Sequence, residues 1–198
     1  MSIGPADAYT LSSVSARFAD ASLGYDPAHP SRRRGELFLP EAVDASTPVV
    51  LLVNGGPGVA SHLLGWGHAV FSVDSEADDG VEASLAAAQY LLSGEAGGRL
   101  GFRPAKISLF GVGHGGDFVL KAGRALGDRV EKIVSIRDPE VSVPPQTGDP
   151  VTWPPDRVLR ISNPPGRGIW RKGDVPHRLL GSLEKRIVGF LCPEAIRR

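Results

Sequence analysis

Ser108-Leu109-Phe110-Gly111-Val112-Gly113-His114-Gly115-Gly116-Asp117 is the stretch that decides the architecture. An apolar run over 107–110 enters a glycine-rich turn and leaves at once into a helical pattern, with Phe118, Ala122 and Leu126 on one face. Glycines at 111, 113, 115 and 116 allow a strand and a helix to pack closely across a very tight turn. The helix N-terminus then presents backbone N–H groups to whatever sits at the turn.

Two other glycine-rich loops do not fit. A phosphate-binding loop needs G-x-x-x-x-G-K-[ST], whereas Lys121 lies well inside the helical pattern. A dinucleotide fingerprint needs a glycine three positions after the second one and belongs to a first strand. Here Gly111-x-Gly113 is followed by Gly115 and Gly116, and the strand is a central one.

Outward from the turn, the pattern is regular. Val49–Val53 and Ala69–Val73 are continuous apolar runs, as expected of strands buried on both faces of a parallel sheet. Residues 81–93 carry Val81, Leu85, Ala88 and Leu92 at helical spacing. Val130–Ile136 reads as a further strand and Arg157–Ile161 as a weaker one. Leu179, Leu183, Ile187 and Leu191 mark a closing helix over 178–191. Strands alternate with helices between 49 and 136, which predicts an α/β fold with a mostly parallel sheet and flanking helices. Arg17–Leu23 and 33–39 are expected to add an antiparallel edge at the N-terminal side. The domain reading is an N-terminal extension with an edge strand over 1–30 and a single domain over 31–198, interrupted by a loop over 138–156 that holds six prolines.

Composition sets the outer limits. The chain has 198 residues, 22 basic and 22 acidic, so its formal net charge of zero lacks the basic footprint of a nucleic-acid binder. One cysteine, Cys192, cannot form an internal disulfide. No apolar run approaches the roughly 18–20 residues of a membrane span, and the N-terminus lacks a secretion-signal pattern. The expectation is a cytoplasmic protein without a membrane span, with no metal and no cofactor.

The glycine-rich segment resembles the nucleophile elbow, G-x-S-x-G, of the α/β-hydrolases. From about 33 to 136 the chain looks most like the catalytic domain of acyl-CoA thioesterases, which is shared with bile acid-CoA:amino acid N-acyltransferase. The resemblance rests on several segments taken in order. They are Arg34-Gly35-Glu36-Leu37-Phe38-Leu39-Pro40, the strand into Gly55-Gly56, Leu63-Leu64-Gly65-Trp66-Gly67-His68-Ala69-Val70 and the helix from Glu82 to Leu92. Val112-Gly113-His114-Gly115-Gly116 stands where the family carries serine or cysteine followed by x-Gly-Gly. Gly168-Ile169-Trp170 with His177 is similar to a family segment before the last helix. Dienelactone hydrolases and small carboxylesterases share most of these features.

The resemblance implies acyl-thioester hydrolysis or acyl transfer, with acyl-CoA or another small acyl compound as ligand. It places Gly113 at the nucleophile position, where no side chain exists to attack a carbonyl. It implies oxyanion donors from the His114 N–H and from the Gly55-Gly56 turn. The family's aspartate stands in a glycine–aspartate context, whereas this chain offers Asp138, Asp149 and Asp156 outside it. Ser162–Gly168 has no histidine where the family's histidine turn falls. His177 is then the candidate base and Asp174 the candidate acid. His114 is a surrogate base, Cys192 a small core residue, and Asp74, Asp78 and Asp79 a solvated acidic loop. His62 and His68 read as residues flanking a loop. The expected function is a hydrolase homologue whose chemistry has been lost or much reduced. The alternatives are a non-catalytic binding or scaffold protein and an esterase with an unconventional base.

Overall fold

A computed structural model describes residues 13–19, 32–75, 79–93, 96–97, 100–101, 103–137, 153–162 and 180–193. Its elements, in chain order, are β1 (Ser13–Ala19), β2 (Arg32–Phe38), β3 (Val49–Val53), α1 (Gly56–Gly65), β4 (Ala69–Val73) and α2 (Gly80–Leu91). There follow β5 (Ile107–Val112), α3 (His114–Leu126), β6 (Val130–Arg137), β7 (Val158–Ser162) and α4 (Leu180–Leu191). The strands form one seven-stranded sheet in the order β1-β2-β4-β3-β5-β6-β7. β1 pairs antiparallel with β2, and β2 antiparallel with β4. Every pairing from β4 to β7 is parallel.

The unbroken apolar runs have a direct structural cause. Val49, Leu51 and Val53 of β3 point into one core with Leu91 of α2 and Phe118 and Val119 of α3. Val50 and Leu52 point into a second core with Leu63 and Leu64 of α1 and Ile187 of α4. With side chains alternating across the pleat, a strand covered on both faces needs apolar residues at every position. All of β3 and all of β5 are buried.

Two elements depart from the sequence reading. The first strand begins at Ser13 rather than Arg17, following the alternation of Val14, Ala16 and Phe18; residues 20–23 lie outside the described ones. The turn after β3 continues into helix α1, which the sequence reading did not anticipate. Gly-Gly-Pro-Gly looks like a turn, but Gly55 takes the N-cap position and a proline is tolerated in a helix's first turn, where N–H groups lack intrahelical partners. His62 therefore lies within a helix. His68 is 1% exposed rather than a loop-flanking residue. Of the proline-rich stretch, 153–156 are described, and Trp153 packs on the α2–α3 core.

Candidate active site

In an open parallel sheet, binding groups gather at the carboxyl ends of the strands, next to the point where neighbouring connections diverge. Five described turns or strand ends lie at that edge: Asn54–Gly55 after β3, Asp74–Ser75 after β4, Gly113 after β5, Arg137 at the end of β6 and Ser162 at the end of β7.

Gly113 is the N-cap of α3 and has φ 59° and ψ −125°. Its N–H donates to the Ile136 carbonyl at 2.8 Å, and its carbonyl accepts from the Gly116 N–H at 3.1 Å. The neighbouring glycines are required by close approach. A Cβ at Gly111 would stand 2.1 Å from the Gly115 carbonyl oxygen, and one at Gly115 would stand 2.4 Å from the Val53 carbonyl oxygen. A Cβ at Gly116 would meet Ser135 Oγ at 2.8 Å, and that hydroxyl donates to the Gly116 carbonyl. At Gly113 a Cβ would meet nothing within 4 Å. The position is therefore held in a left-handed conformation by its neighbours, with open space where a side chain would project.

The contact of Gly115 with Val53 and Asn54 brings the start of α3 against the end of β3. His114 and Gly115 are the first helical residues, and their N–H groups are among those with no intrahelical acceptor. Gly55 precedes α1 and is buried on Leu52; Gly56 follows at φ 67°. The predicted oxyanion residues Gly55, Gly56 and His114 thus belong to two turns that abut.

Asn54 was not anticipated. It is the one non-glycine residue at positive φ (56°) among the described residues, a conformation that asparagine tolerates better than most. Its side-chain Nδ2 donates to the Ser75 carbonyl at 3.1 Å and its Oδ1 accepts the Ser75 N–H at 2.8 Å. This clamp ties the turn after β3 to the end of β4. An Asn-Gly pair directly after a strand was the available signal. Asp117, in the first turn of α3, forms an ion pair with Arg137 at the end of β6. No sequence pattern announced that pair, since it depends on the β5–β6 register.

The remaining candidates divide clearly. The His114 side chain is exposed, with its ring stacked on Phe118 at 6.4 Å between centroids. His177, Asp174, Asp138 and Asp149 lie outside the described residues. Asp156 is exposed and precedes β7, at the end of the sheet opposite Gly113, so the topology keeps the two apart. Asp74 is exposed and Asp79 takes the N-cap position of α2, while Asp78 lies outside the described residues. Cys192 is half-buried rather than in the core, and its Sγ lies 3.6 Å from His68 Nε2.

Solved structures share this fold. Esterase Est22 superposes with a TM-score of 0.52 at 15% identity, over 68% of this chain and 46% of its own. EstE1, a thermostable carboxylesterase cloned from a metagenomic library, gives 0.50 at 20% identity, over 66% and 48%. The chain has the α/β-hydrolase fold. It spans a little under half the length of these two esterases. No protein-family model and no curated protein matches its sequence. In α/β-hydrolases generally, the nucleophile stands on a sharp turn from a strand into a helix, and a second oxyanion N–H comes from the loop after an earlier strand. Among the described residues, no helix is long and apolar enough to cross a membrane.

Proposed function

We propose that the protein is an α/β-hydrolase homologue of the acyl-thioester type that binds an acyl compound at the elbow and turns it over weakly or not at all. One observation carries this reading: the elbow is built around Gly113, where the reacting side chain would stand in open space. The abutting turns at Gly55-Gly56 and His114 support retention of a pocket for a carbonyl or carboxylate oxygen, through backbone N–H groups rather than side chains. The order of segments resembling acyl-CoA thioesterases supports the acyl-thioester class. Removing the nucleophile of a serine triad costs on the order of a millionfold in turnover, while binding and the oxyanion hole retain roughly 10³–10⁴ over water.

The test compares the natural protein with Gly113→Ser on palmitoyl-CoA. The expected result is hydrolysis at background rate by the natural protein together with measurable acyl-CoA binding. Hydrolysis well above background by the natural protein overturns the reading. Turnover that appears only in the serine variant shows that the remaining machinery is intact. An esterase-type alternative, in which His177 activates water directly, takes its support from the likeness in fold to carboxylesterases. It requires the natural protein to cleave p-nitrophenyl acetate and His177→Ala to abolish that cleavage.

A further inference from the structure

At the amino ends of the parallel strands, three elements converge on one buried imidazole. His68 lies between α1 and β4 with 1% of its surface exposed. Its Nε2 is 3.6 Å and its Nδ1 4.0 Å from Cys192 Sγ, the first residue beyond α4. The Cys192 N–H continues the helix by donating to the Val188 carbonyl at 2.7 Å. From β6, Lys132 Nζ donates to the Phe190 carbonyl and reaches the Leu191 carbonyl at 3.4 Å, satisfying helix-end acceptors that have no intrahelical partner. The ammonium also lies 5.4 Å from the Phe190 ring centre. Above this polar cluster, Ile187 seats α4 on the sheet, with Leu183, Phe190 and Leu191 packed beside it.

Burial favours the neutral ring; the carbonyls of Leu63 and Trp66, at and just past the end of α1, favour the protonated one, and the Lys132 ammonium on β6 adds to the effect of burial. Cys192, just past α4, faces the ring as a thiol. Glu131, the neighbouring acid on β6, bears on the thiol. Among the described residues, no carboxylate acts on the imidazole. Burial pushes the Cys192 thiol up, so the pair is a neutral thiol against a neutral ring. A protonated ring is a donor at both nitrogens and cannot accept the S–H. It would also place an unpaired charge in the interior opposite an ammonium.

We propose that His68, Lys132 and Cys192 form a latch that holds the end of α4 on the sheet, and that protonation of His68 opens it while the elbow side stays folded. Burial holds the His68 imidazole down to about 4, against 6.5 for the free ring, so the undocked state takes up more protons between those values. The latch is at full strength above the free value and weakens as pH falls towards the folded one. By linkage, opening at pH 5 should be roughly thirtyfold greater than at pH 8.

Because Cys192 is the only cysteine, thiol labelling reads this position alone. The full chain is reacted with 4,4′-dithiodipyridine, whose disulfide is attacked by thiols in acid as well as neutral solution with release of thiopyridone, and the rate is normalised to N-acetylcysteine at each pH. The expected result is a roughly thirtyfold rise in normalised rate from pH 8 to pH 5, absent in His68→Gln. Hydrogen exchange on the natural protein, corrected for intrinsic rates, should show amides 187–191 losing protection over that range while 118–122 keep theirs. An unchanged labelling rate, the same rise in His68→Gln, or simultaneous loss of protection in α3 and α4 each overturns the proposal. If His68→Gln does not fold, the exchange measurement on the natural protein decides alone.

Discussion

The two ends of the parallel sheet bring together very different groups. At the carboxyl end, Gly113 sits at φ 59°, two turns abut, and Asn54 clamps Ser75, with open space where a side chain at position 113 would project. At the amino end, a thiol and an imidazole lie 3.6 Å apart, but the ring is 1% exposed and the strands point away. Residue types alone would favour the second place. Fold geometry favours the first, because ligands of such sheets meet the carboxyl ends of the strands. The Cys–His contact thus serves as a fastening, while the half-buried turn at Gly113 leaves open space at the edge where ligands of such sheets meet the strands.

The glycines of the elbow offer the largest effect with which to break this contrast. Gly111→Ala and Gly115→Ala each drive a methyl into backbone at 2.1 Å and 2.4 Å. Each should cost about 3 kcal/mol or more in urea unfolding, since backbone cannot step aside as a side chain can. A cost near zero would mean that the elbow is not as tight as described.

The amino end should dominate the response to acid. His68 has its folded value depressed to about 4, so stability is complete above the free value and is lost as pH falls. Unfolding midpoints should fall between pH 7 and pH 4 by the equivalent of about 3 kcal/mol, less whatever remains in partly opened states. In His68→Gln that component of the pH dependence should vanish.

A smaller effect separates strain from function. Gly113 (φ 59°, ψ −125°) and Gly127 (φ 57°, ψ −123°) bracket α3 in nearly the same conformation, each with open space where a Cβ would stand. Alanine at either should cost a similar amount, about 1–2 kcal/mol, by urea unfolding. Only the Gly113 variant should alter acyl-CoA affinity, read by calorimetric titration. The smallest effect belongs to Asn54→Ala, about 1 kcal/mol from the lost clamp and the positive φ, with Asn54→Gly recovering the backbone share.

Much of this framework was legible before the structure. The runs at 49–53, 69–73, 107–110 and 130–136 announce strands covered on both faces, and the glycines at 111, 113 and 115 announce a tight turn from strand into helix. Helix α1 was hidden because Gly56 and Pro57 at its start carry a turn's composition. The Asn54–Ser75 clamp and the Asp117–Arg137 pair depend on which strands lie side by side, which no local pattern encodes. His68 and Cys192 are 124 positions apart and meet only because α4 returns across the sheet to the start of β4.

The most direct measurement is an amide NMR titration of the natural protein with decanoyl-CoA, following both ends of the sheet at once. The account predicts that the largest shifts fall on Gly55, Gly56, His114 and Gly115, with His68 and Cys192 unmoved. Shifts centred on His68 and Cys192, or saturating binding that leaves the elbow amides unchanged, would contradict it.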